Sequence, residues 1–413
     1  MTCFQPFKAF RPHPEFAQQV LCPPYDVISA EEARRLAAEN PRSFLHVIRS
    51  EVDLPDSDPY SEEVYRRAAE NLTALERGGI YFTEKQSIYY IYSQTQNGRT
   101  QTGIVGCASI DDYENGTIKR HEVTRTEKEL DRIRHFDACS ADTEPVFFFF
   151  RDDAGISGIM SSLTGSEAPE YDITDCEGVR HRLWPVRDRK TCEDLLSLFR
   201  RLPAMYIADG HHRTASAARV GEKRRAAAPD YDGSEEFNRF MAVAFPTDQL
   251  NVFGYHRLVK DLNGLSEDLF LKRLSDICTV EKLTCADPSP SEKHTCSMYL
   301  GQTWYRLSFD GRISHPDDPV ASLDVTLLQD LVLSPLLGIK DPRTDPRIRF
   351  AGGAKEISFL QAGVDSGEMA VAFAMYPVSL EEIMKVADAG LVMPPKSTWF
   401  EPKLGSGLFV HRF

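Results

Sequence analysis

The segment 205–218 constrains the fold of this chain more than any other part of its sequence. The apolar residues Met205–Ala208 are followed by Asp-Gly-His-His-Arg and then by an Ala-rich stretch. This order predicts a short strand, a tight turn at Gly210 and a helix. A helix N-terminus presents backbone N–H groups and a partial positive charge, which favour phosphate groups. The segment therefore predicts an anion-binding strand–turn–helix unit.

The side chains of this turn bring several kinds of chemistry together. Arg213 suits two phosphate oxygens because its guanidinium is a planar fork. His211 and His212 can act as acid–base groups, phosphate donors or metal ligands, and Asp209 can take a proton or help to hold a divalent cation. The alternative is an ordinary Asp-Gly turn in which Asp209 only caps the helix. We predict catalytic roles for Asp209 and His211, metal binding by Asp209, and cofactor contacts from Gly210, His212, Arg213 and Thr214.

Length and charge limit the classes of protein to which the chain can belong. Its 413 residues exceed one typical core, and we divide them into an N-terminal α+β region 1–115, a core 116–260 that carries the turn, and a C-terminal α+β region 261–413 with a docked tail. A net charge of −14 argues against a nucleic-acid partner. The nine cysteines include no Cys-x-x-Cys pair, and we find no signal-like or membrane-length apolar run. We expect a cytoplasmic protein with reduced thiols.

Apolar runs and turn signals predict a mixed α+β fold. Pro145–Phe150 is typical of a fully buried strand, and Phe44–Arg49 is interpreted as another strand. Residues 87–93 and 100–110 predict a hairpin that turns at Asn97-Gly98. Ser29 is expected to cap a helix. The isolated strands do not by themselves indicate a parallel sheet.

A charged segment, residues 119–134, is the second dense group of polar side chains. Glu122 is its best general-base candidate, because it lies beside an imidazole and near several cations. Lys128 and Arg132 would share a helix face and could neutralise phosphate charge. The alternative, which we weigh equally, is a solvated helix stabilised by charge pairs.

Proline-rich segments near both ends supply further candidates. At the C-terminal end Lys396 and Lys403 suit anions, although this segment could serve only to dock on the body of the protein. Pro23–Asp26 is either a rigid wall or a carrier of a substrate-positioning acid. Thr143 and Glu144 would lie at the mouth of the aromatic strand.

Several nucleotide-site and hydrolase motifs are missing from the sequence. There is no Gly-x-x-x-x-Gly-Lys-Ser/Thr loop, no Rossmann fingerprint, no protein-kinase set and no Gly-x-Ser-x-Gly elbow. A phosphate or nucleotide site on the turn that ends at Arg213 is the most economical interpretation.

Three separated motifs together resemble a known family. Pro-Pro-Tyr-Asp-Val-Ile at 23–28, Tyr-Ile-Ala-Asp-Gly-His-His-Arg at 206–213, and Met-Pro-Pro-Lys-Ser-Thr followed by Phe-x-Pro-Lys at 393–403 look like the prokaryotic family of domain of unknown function 1015. The resemblance spans nearly the whole chain.

The turn alone is similar to the phosphate-binding turn of the ParB/sulfiredoxin superfamily, which includes free-serine kinases. The match covers residues 209–213 and implies a ParB/sulfiredoxin-like nucleotide-binding core, with His212 and Arg213 as phosphate contacts. Sulfinate reduction is disfavoured, because sulfiredoxins need a cysteine where this chain has His211 and His212. We find no basic helix-turn-helix like that of the partition proteins.

Our leading hypothesis is a small-molecule kinase that uses ATP or ADP with Mg²⁺, and the resemblance suggests free L-serine as its acceptor. Two alternatives stay open. One is a nucleotide-binding regulator without turnover. The other is a metal-dependent phosphohydrolase built from His121, Glu122, His211 and His212.

Overall fold

The chain forms two compact units in a computed structural model that describes residues 2–285, 287–312, 315–353 and 357–413. The first unit contains the chain up to Arg120, Thr124–Leu250 and Pro402–Phe413. The second contains His121–Val123 and Asn251–Glu401. The sequence regions 1–115 and 116–260 both contribute strands to one large sheet of the first unit. The last twelve residues of the chain, Pro402–Phe413, also belong to this unit.

Helices and strands are interspersed along the described residues, so the predicted mixed α+β fold is confirmed. The strands are β1 Phe4–Gln5, β2 Phe10–Pro12, β3 Tyr81–Thr83, β4 Tyr89–Gln96, β5 Arg99–Ser109, β6 Ile118–Lys119, β7 Ala141–Asp142, β8 Val146–Phe150, β9 Tyr171–Thr174, β10 Arg180–Val186, β11 Met205–Asp209, β12 Arg239–Pro246, β13 Val252–Phe253, β14 Tyr255–Val259, β15 Thr279–Lys282, β16 Thr295–Leu300, β17 Thr303–Ser308, β18 Ile348–Gly352, β19 Val371–Met375, β20 Trp399–Phe400 and β21 His411–Arg412. The α-helices are α1 Ala17–Val20, α2 Ala30–Glu39, α3 Leu45–Ile48, α4 Glu62–Arg77, α5 Ile110–Glu114, α6 Thr126–Cys139, α7 Ala154–Ser166, α8 Arg189–Arg201, α9 His211–Ala227, α10 Glu267–Ile277, α11 Asp324–Leu328, α12 Ile357–Asp365 and α13 Leu380–Asp388.

A nine-stranded mixed sheet organises the first unit. Its order is β6-β11-β8-β12-β5-β4-β10-β9, and β1 pairs with β5. The β4–β5 hairpin confirms the predicted turn, in which both Asn97 and Gly98 have positive φ. The strand β8 is buried along its whole length, as its continuous aromatic run predicts. Phe148 and Phe150 belong to the main apolar core on one face of the sheet.

The pairing of β8 with β11 positions the candidate site. These two strands are antiparallel, with Phe148 opposite Ile207 and Phe147 opposite Asp209. The start of β8 and the end of β11 therefore meet at one edge of the sheet. The register shifts between Ile207 and Asp209, and such a bulge re-aims the side chain that follows it. Asp209 and the residues before Val146 consequently lie close together.

One predicted strand of the first unit is wrong. Phe44–Arg49 contains the helical turn α3 rather than a strand. Phe44, Val47 and Ile48 are all buried at the spacing of one helix face. An apolar run this short fits the periodicity of a helix and that of a strand equally well. The predicted helix cap is confirmed, because the side chain of Ser29 accepts the N–H of Glu32 at the start of α2.

A six-stranded sheet, β15-β17-β16-β19-β14-β18, forms the second unit with its helices. The Ser-x-x-Glu pattern at Ser379 and Glu382 predicts a capping box, and the structure has it at the start of α13. The sequence Gly-Gly-Ala-Lys-Glu at 352–356 predicts the start of a helix, but Gly352 instead ends strand β18. Residues 354–356 of that interpretation lie outside the described residues. In the part of the chain described here, no helix is both long and apolar enough to cross a membrane.

The second unit also buries a carboxylate whose charge is poorly compensated. Asp324 begins α11 and is 4% exposed. Burial raises the pKa of Asp324 to about 7, and the neighbouring Glu382 acts in the same direction, against Lys293. Lys293 is itself paired with Glu382 at 2.5 Å. The ionised form of Asp324 is therefore disfavoured in the folded state.

We expect Asp324→Asn to remove a pH dependence of stability. The folded pKa of Asp324 lies above its unfolded value of 3.8, so the folded state holds the proton more tightly and loses stability as the pH rises toward 7. At about 1.4 kcal/mol per pH unit, the wild type should lose roughly 2–3 kcal/mol between about pH 5 and pH 8. The free energy of unfolding, measured by urea denaturation at several pH values across this range, should depend less on pH in the Asn variant than in the wild type. The same pH dependence in both proteins would contradict the raised pKa of Asp324.

Candidate functional site

The turn at the end of β11 is built around Gly210. This residue has φ 92° and ψ 29°, a left-handed conformation that favours glycine. A Cβ at this position would lie 3.2 Å from Nε of Arg213. Asp209 Oδ1 accepts the N–H of Gly210 at 3.0 Å, and Thr214 donates both its N–H and its hydroxyl to the Gly210 carbonyl. The helix α9 then begins directly at His211, as the sequence predicts.

Arg213 lies buried beneath this turn. Only 3% of it is exposed, and its Nη1 donates to the carbonyl of Pro145 just before β8. Its Nη2 lies 3.7 Å from Asp209 Oδ2 and 4.0 Å from Asp26 Oδ2. Burial opposes its charge, but Asp26, Asp209 and Glu144 together raise the pKa of Arg213 above its usual range. Nε of Arg213 has no hydrogen-bond partner among the described residues.

Asp209 is held as an anion by two cations. Lys403 Nζ lies 3.1 Å from its Oδ2, the same oxygen that Arg213 Nη2 approaches at 3.7 Å. Burial opposes ionisation, but Lys403, Arg213 and His211 hold the pKa of Asp209 well below its usual value. A carboxylate with so low a pKa is a weak proton acceptor. Asp209 is therefore suited to orienting cations rather than to taking a proton.

The two histidines of the turn have different surroundings. His211 is 4% exposed at the first helical position. His212 is half-buried, and its Nε2 accepts the backbone N–H of Arg125 at 2.9 Å. Burial lowers the pKa of His212, and the nearby Lys128 and Arg125 act in the same direction. Because Nε2 accepts a hydrogen bond, neutral His212 carries its proton on Nδ1.

Three other predicted phosphate contacts occupy different environments in the first unit. Thr214 is fully buried and uses its hydroxyl to brace the turn. Lys128 is half-buried on α6, which packs against α9 through a hydrogen bond from Ser216 to the Glu129 carbonyl. Arg132 is 5% exposed and is paired with Asp131 at 2.9 Å. Of these three side chains, Lys128 is the one accessible from solvent.

Glu122 and Lys396 belong to the second unit. Glu122 is half-buried. Lys396 is exposed, and its Nζ lies 5.5 Å from the centre of the Tyr255 ring. Their predicted roles as base and phosphate contact stay predictions. Over the described ranges no three His, Cys, Asp or Glu side chains group so that they could hold a metal ion. The metal role predicted for Asp209 stays a prediction.

Several residues from the termini and from the start of β8 join the turn. Tyr25 stacks on Arg132, whose Cζ lies 4.2 Å from the ring centre, and Asp26 faces Arg213. Glu144 is 1% exposed and accepts the Tyr25 N–H at 3.0 Å and the Ser406 hydroxyl at 2.9 Å. The sequence motifs singled these segments out, but the sequence did not show that they meet.

The chain belongs to the family described as protein of unknown function DUF1015, whose profile matches residues 4–326. This confirms the family predicted from the three motifs. No curated protein matches the chain. The similarity of the turn to the ParB/sulfiredoxin superfamily stays a prediction.

Solved structures similar to this chain share little sequence with it. A free serine kinase in complex with AMP is 13% identical, covers 73% of this chain and 91% of its own, and has a TM-score of 0.35. SbnI with a C-terminal truncation, from Staphylococcus aureus, is 12% identical, with coverages of 74% and 87% and a TM-score of 0.39. A conserved hypothetical protein from Pyrococcus furiosus is 13% identical, with coverages of 73% and 94% and a TM-score of 0.35.

Proposed function

We propose that the protein is a nucleotide-dependent phosphotransferase, which binds ATP or ADP with Mg²⁺ and phosphorylates a hydroxyl of a small molecule. Free L-serine is the first acceptor to test. The observation that carries the proposal is the convergence of Arg213 and Lys403 on Asp209 at the N-terminus of α9. Phosphoryl transfer depends on cations and backbone N–H groups placed around the phosphate oxygens, and this turn offers both.

Each group of the turn has a role in this proposal. The first N–H groups of α9, with Lys403 and Arg213, bind phosphate oxygens, and Asp209 fixes the directions of the two cations. Mg²⁺ keeps several waters and commonly uses one or two carboxylates together with substrate phosphates. The described residues hold no cluster of three His, Cys, Asp or Glu side chains that could bind a metal ion, so the nucleotide would supply most of the ligands of Mg²⁺. Asp209 is the carboxylate nearest to Arg213 and Lys403.

The transfer also needs an acceptor for the hydroxyl proton. The hydroxyl oxygen attacks the terminal phosphorus, the bond to the leaving phosphate oxygen breaks, and the proton passes to a carboxylate. Asp26 suits this step because its side chain is 38% exposed and lies 4.0 Å from Arg213. Glu122 stays the candidate from sequence. Comparing Asp26→Asn with Glu122→Gln in single-turnover assays decides between them, because loss of the base lowers kcat more than nucleotide affinity.

Lys403→Met is expected to weaken nucleotide binding by about tenfold to a hundredfold, because it removes a charged phosphate contact. Isothermal titration calorimetry with ADP measures the change. Lys190→Met is a matched control, because Lys190 is 80% exposed in a surface pair with Asp194 and should leave affinity unchanged. Equal affinities for the Lys403 variant and the wild type would show that Lys403 does not contribute to nucleotide binding.

Phosphorus NMR of the purified protein with Mg²⁺, nucleotide and a panel of amino acids and sugars tests the reaction. A phosphorylated acceptor supports the proposal. Nucleotide binding without product would identify a nucleotide-binding regulator instead, and phosphate release without an acceptor would identify a phosphohydrolase.

A further inference from the structure

Glu144 connects two segments that are far apart in the sequence. Its Oε1 accepts the Tyr25 N–H and the Ser406 hydroxyl, at 3.0 and 2.9 Å. The same two segments also pair with each other, since Cys22 and Ser406 exchange two backbone hydrogen bonds. One carboxylate oxygen, fully enclosed at the start of β8, therefore joins the N-terminal motif to the C-terminal one.

Each of these segments carries one outside partner of the turn. Asp26 follows Tyr25 directly and faces Arg213 at 4.0 Å. Lys403 precedes Ser406 by three residues and contacts Asp209 at 3.1 Å. A shift of either segment away from Glu144 would therefore move a charge that contacts the turn.

The second carboxylate oxygen of Glu144 is buried in an unusual setting. Among the described residues Oε2 has no hydrogen-bond partner, and neither does Nη1 of Arg132, which lies 3.9 Å away. Arg132 is kept in place by Asp131 and by the ring of Tyr25. Buried polar atoms without partners are costly and are concentrated where a site needs them.

We propose that Glu144 is a positioning residue for the phosphate-binding turn: through Tyr25 and Ser406 it places Asp26 and Lys403 against Arg213 and Asp209. The inference rests on the proposed function for its consequence in nucleotide binding. The positional claim itself can be tested without any nucleotide.

The first test measures the exposure of Lys403. In the wild type its side chain is 17% exposed and paired, so an amine-acetylating reagent followed by mass spectrometry should label it slowly. Glu144→Ala should raise the labelling rate about tenfold, because both hydrogen bonds are lost. Glu144→Gln keeps a carbonyl oxygen for Tyr25 and Ser406 and should stay close to the wild-type rate. Unchanged labelling in the Ala variant, or equal rates in the Ala and Gln variants, would overturn the proposal.

The second test is a double-mutant cycle on ADP affinity. If Glu144 acts through Lys403, then Glu144→Ala and Lys403→Met have overlapping effects, and the double variant should bind only as weakly as Lys403→Met. Fully additive losses would contradict this route. Ser93→Ala is the control, since Ser93 is also buried in the sheet and bonds Thr102. A wild type that does not bind ADP rejects the proposed function, whereas the labelling result still decides the role of Glu144.

Discussion

Arg213→Met is expected to cost about 3–5 kcal/mol of folding free energy, because removing one partner of a buried charge group leaves the others uncompensated. Arg213 is almost fully buried, and the carboxylates of Asp26, Asp209 and Glu144 raise its pKa. Its Nη1 also supplies a hydrogen bond to the carbonyl of Pro145. Urea denaturation at neutral pH measures the loss as a lower midpoint at unchanged slope.

The same helix offers a matched control for Arg213. Arg219 lies on α9 with a 65% exposed side chain, 3.6 Å from Glu222, and Arg219→Met should change stability by less than about 1 kcal/mol. If Arg213→Met also lost less than about 1 kcal/mol of folding free energy, the buried charge of Arg213 would not be stabilising the fold as we expect. Arg213→Lys keeps the charge and removes the planar fork, so it should fold and still lose nucleotide affinity by about a hundredfold.

His411→Phe is expected to destabilise the protein by about 3–5 kcal/mol at neutral pH, because it leaves a buried carboxylate without its cation. His411 is 1% exposed, and its two ring nitrogens lie 3.0 Å from Asp142 and from Glu236. Burial opposes the imidazolium, but Cys107, Asp142 and Glu236 together raise the pKa of His411 well above its usual value. The charged form donates from both nitrogens and fixes β21 beside β7.

The sign of the pH effect at His411 follows from this raised pKa. Its contribution to stability is complete below the unfolded pKa of 6.5 and is lost as the pH rises through the higher folded value. The wild type should therefore lose stability in alkaline solution by more than His411→Phe does. Adding Asp142→Asn to the Phe variant should restore part of the loss, since it removes the stranded charge. Arg189→Ala, at an exposed pair with Glu193, is the control.

Sequence reasoning found the turn because its signal is local. Asp209 to Thr214 are consecutive, and a strand followed by a glycine and a helix is enough to place them. The same reasoning interpreted Phe44–Arg49 as a strand, because four buried apolar residues satisfy both periods when the element is this short. Long or continuously apolar elements such as β8 left no such ambiguity.

The chemistry of individual residues was harder to predict than their position. Thr214 and Arg132 have the right side chains for phosphate, but the fold uses the first to brace Gly210 and pairs the second with Asp131. The sequence predicts that Glu144 lies at the mouth of the aromatic strand. The structure adds that Glu144 accepts hydrogen bonds from Tyr25 and Ser406 and so joins the two segments that contact the turn. Burial and partners decide such roles, and both depend on residues that are distant in the chain.

The sequence by itself determined the mixed α+β class, the family and the strand–turn–helix unit that ends at Arg213, because these depend on local periodicity and on short motifs. Only the tertiary structure decided that Lys403 and Asp26 face this turn and that Glu144 joins their segments. The physical reason is the sheet. Antiparallel pairing of β8 with β11 brings the start of one strand to the end of the other, and backbone pairing of Cys22 with Ser406 carries both termini to the same edge.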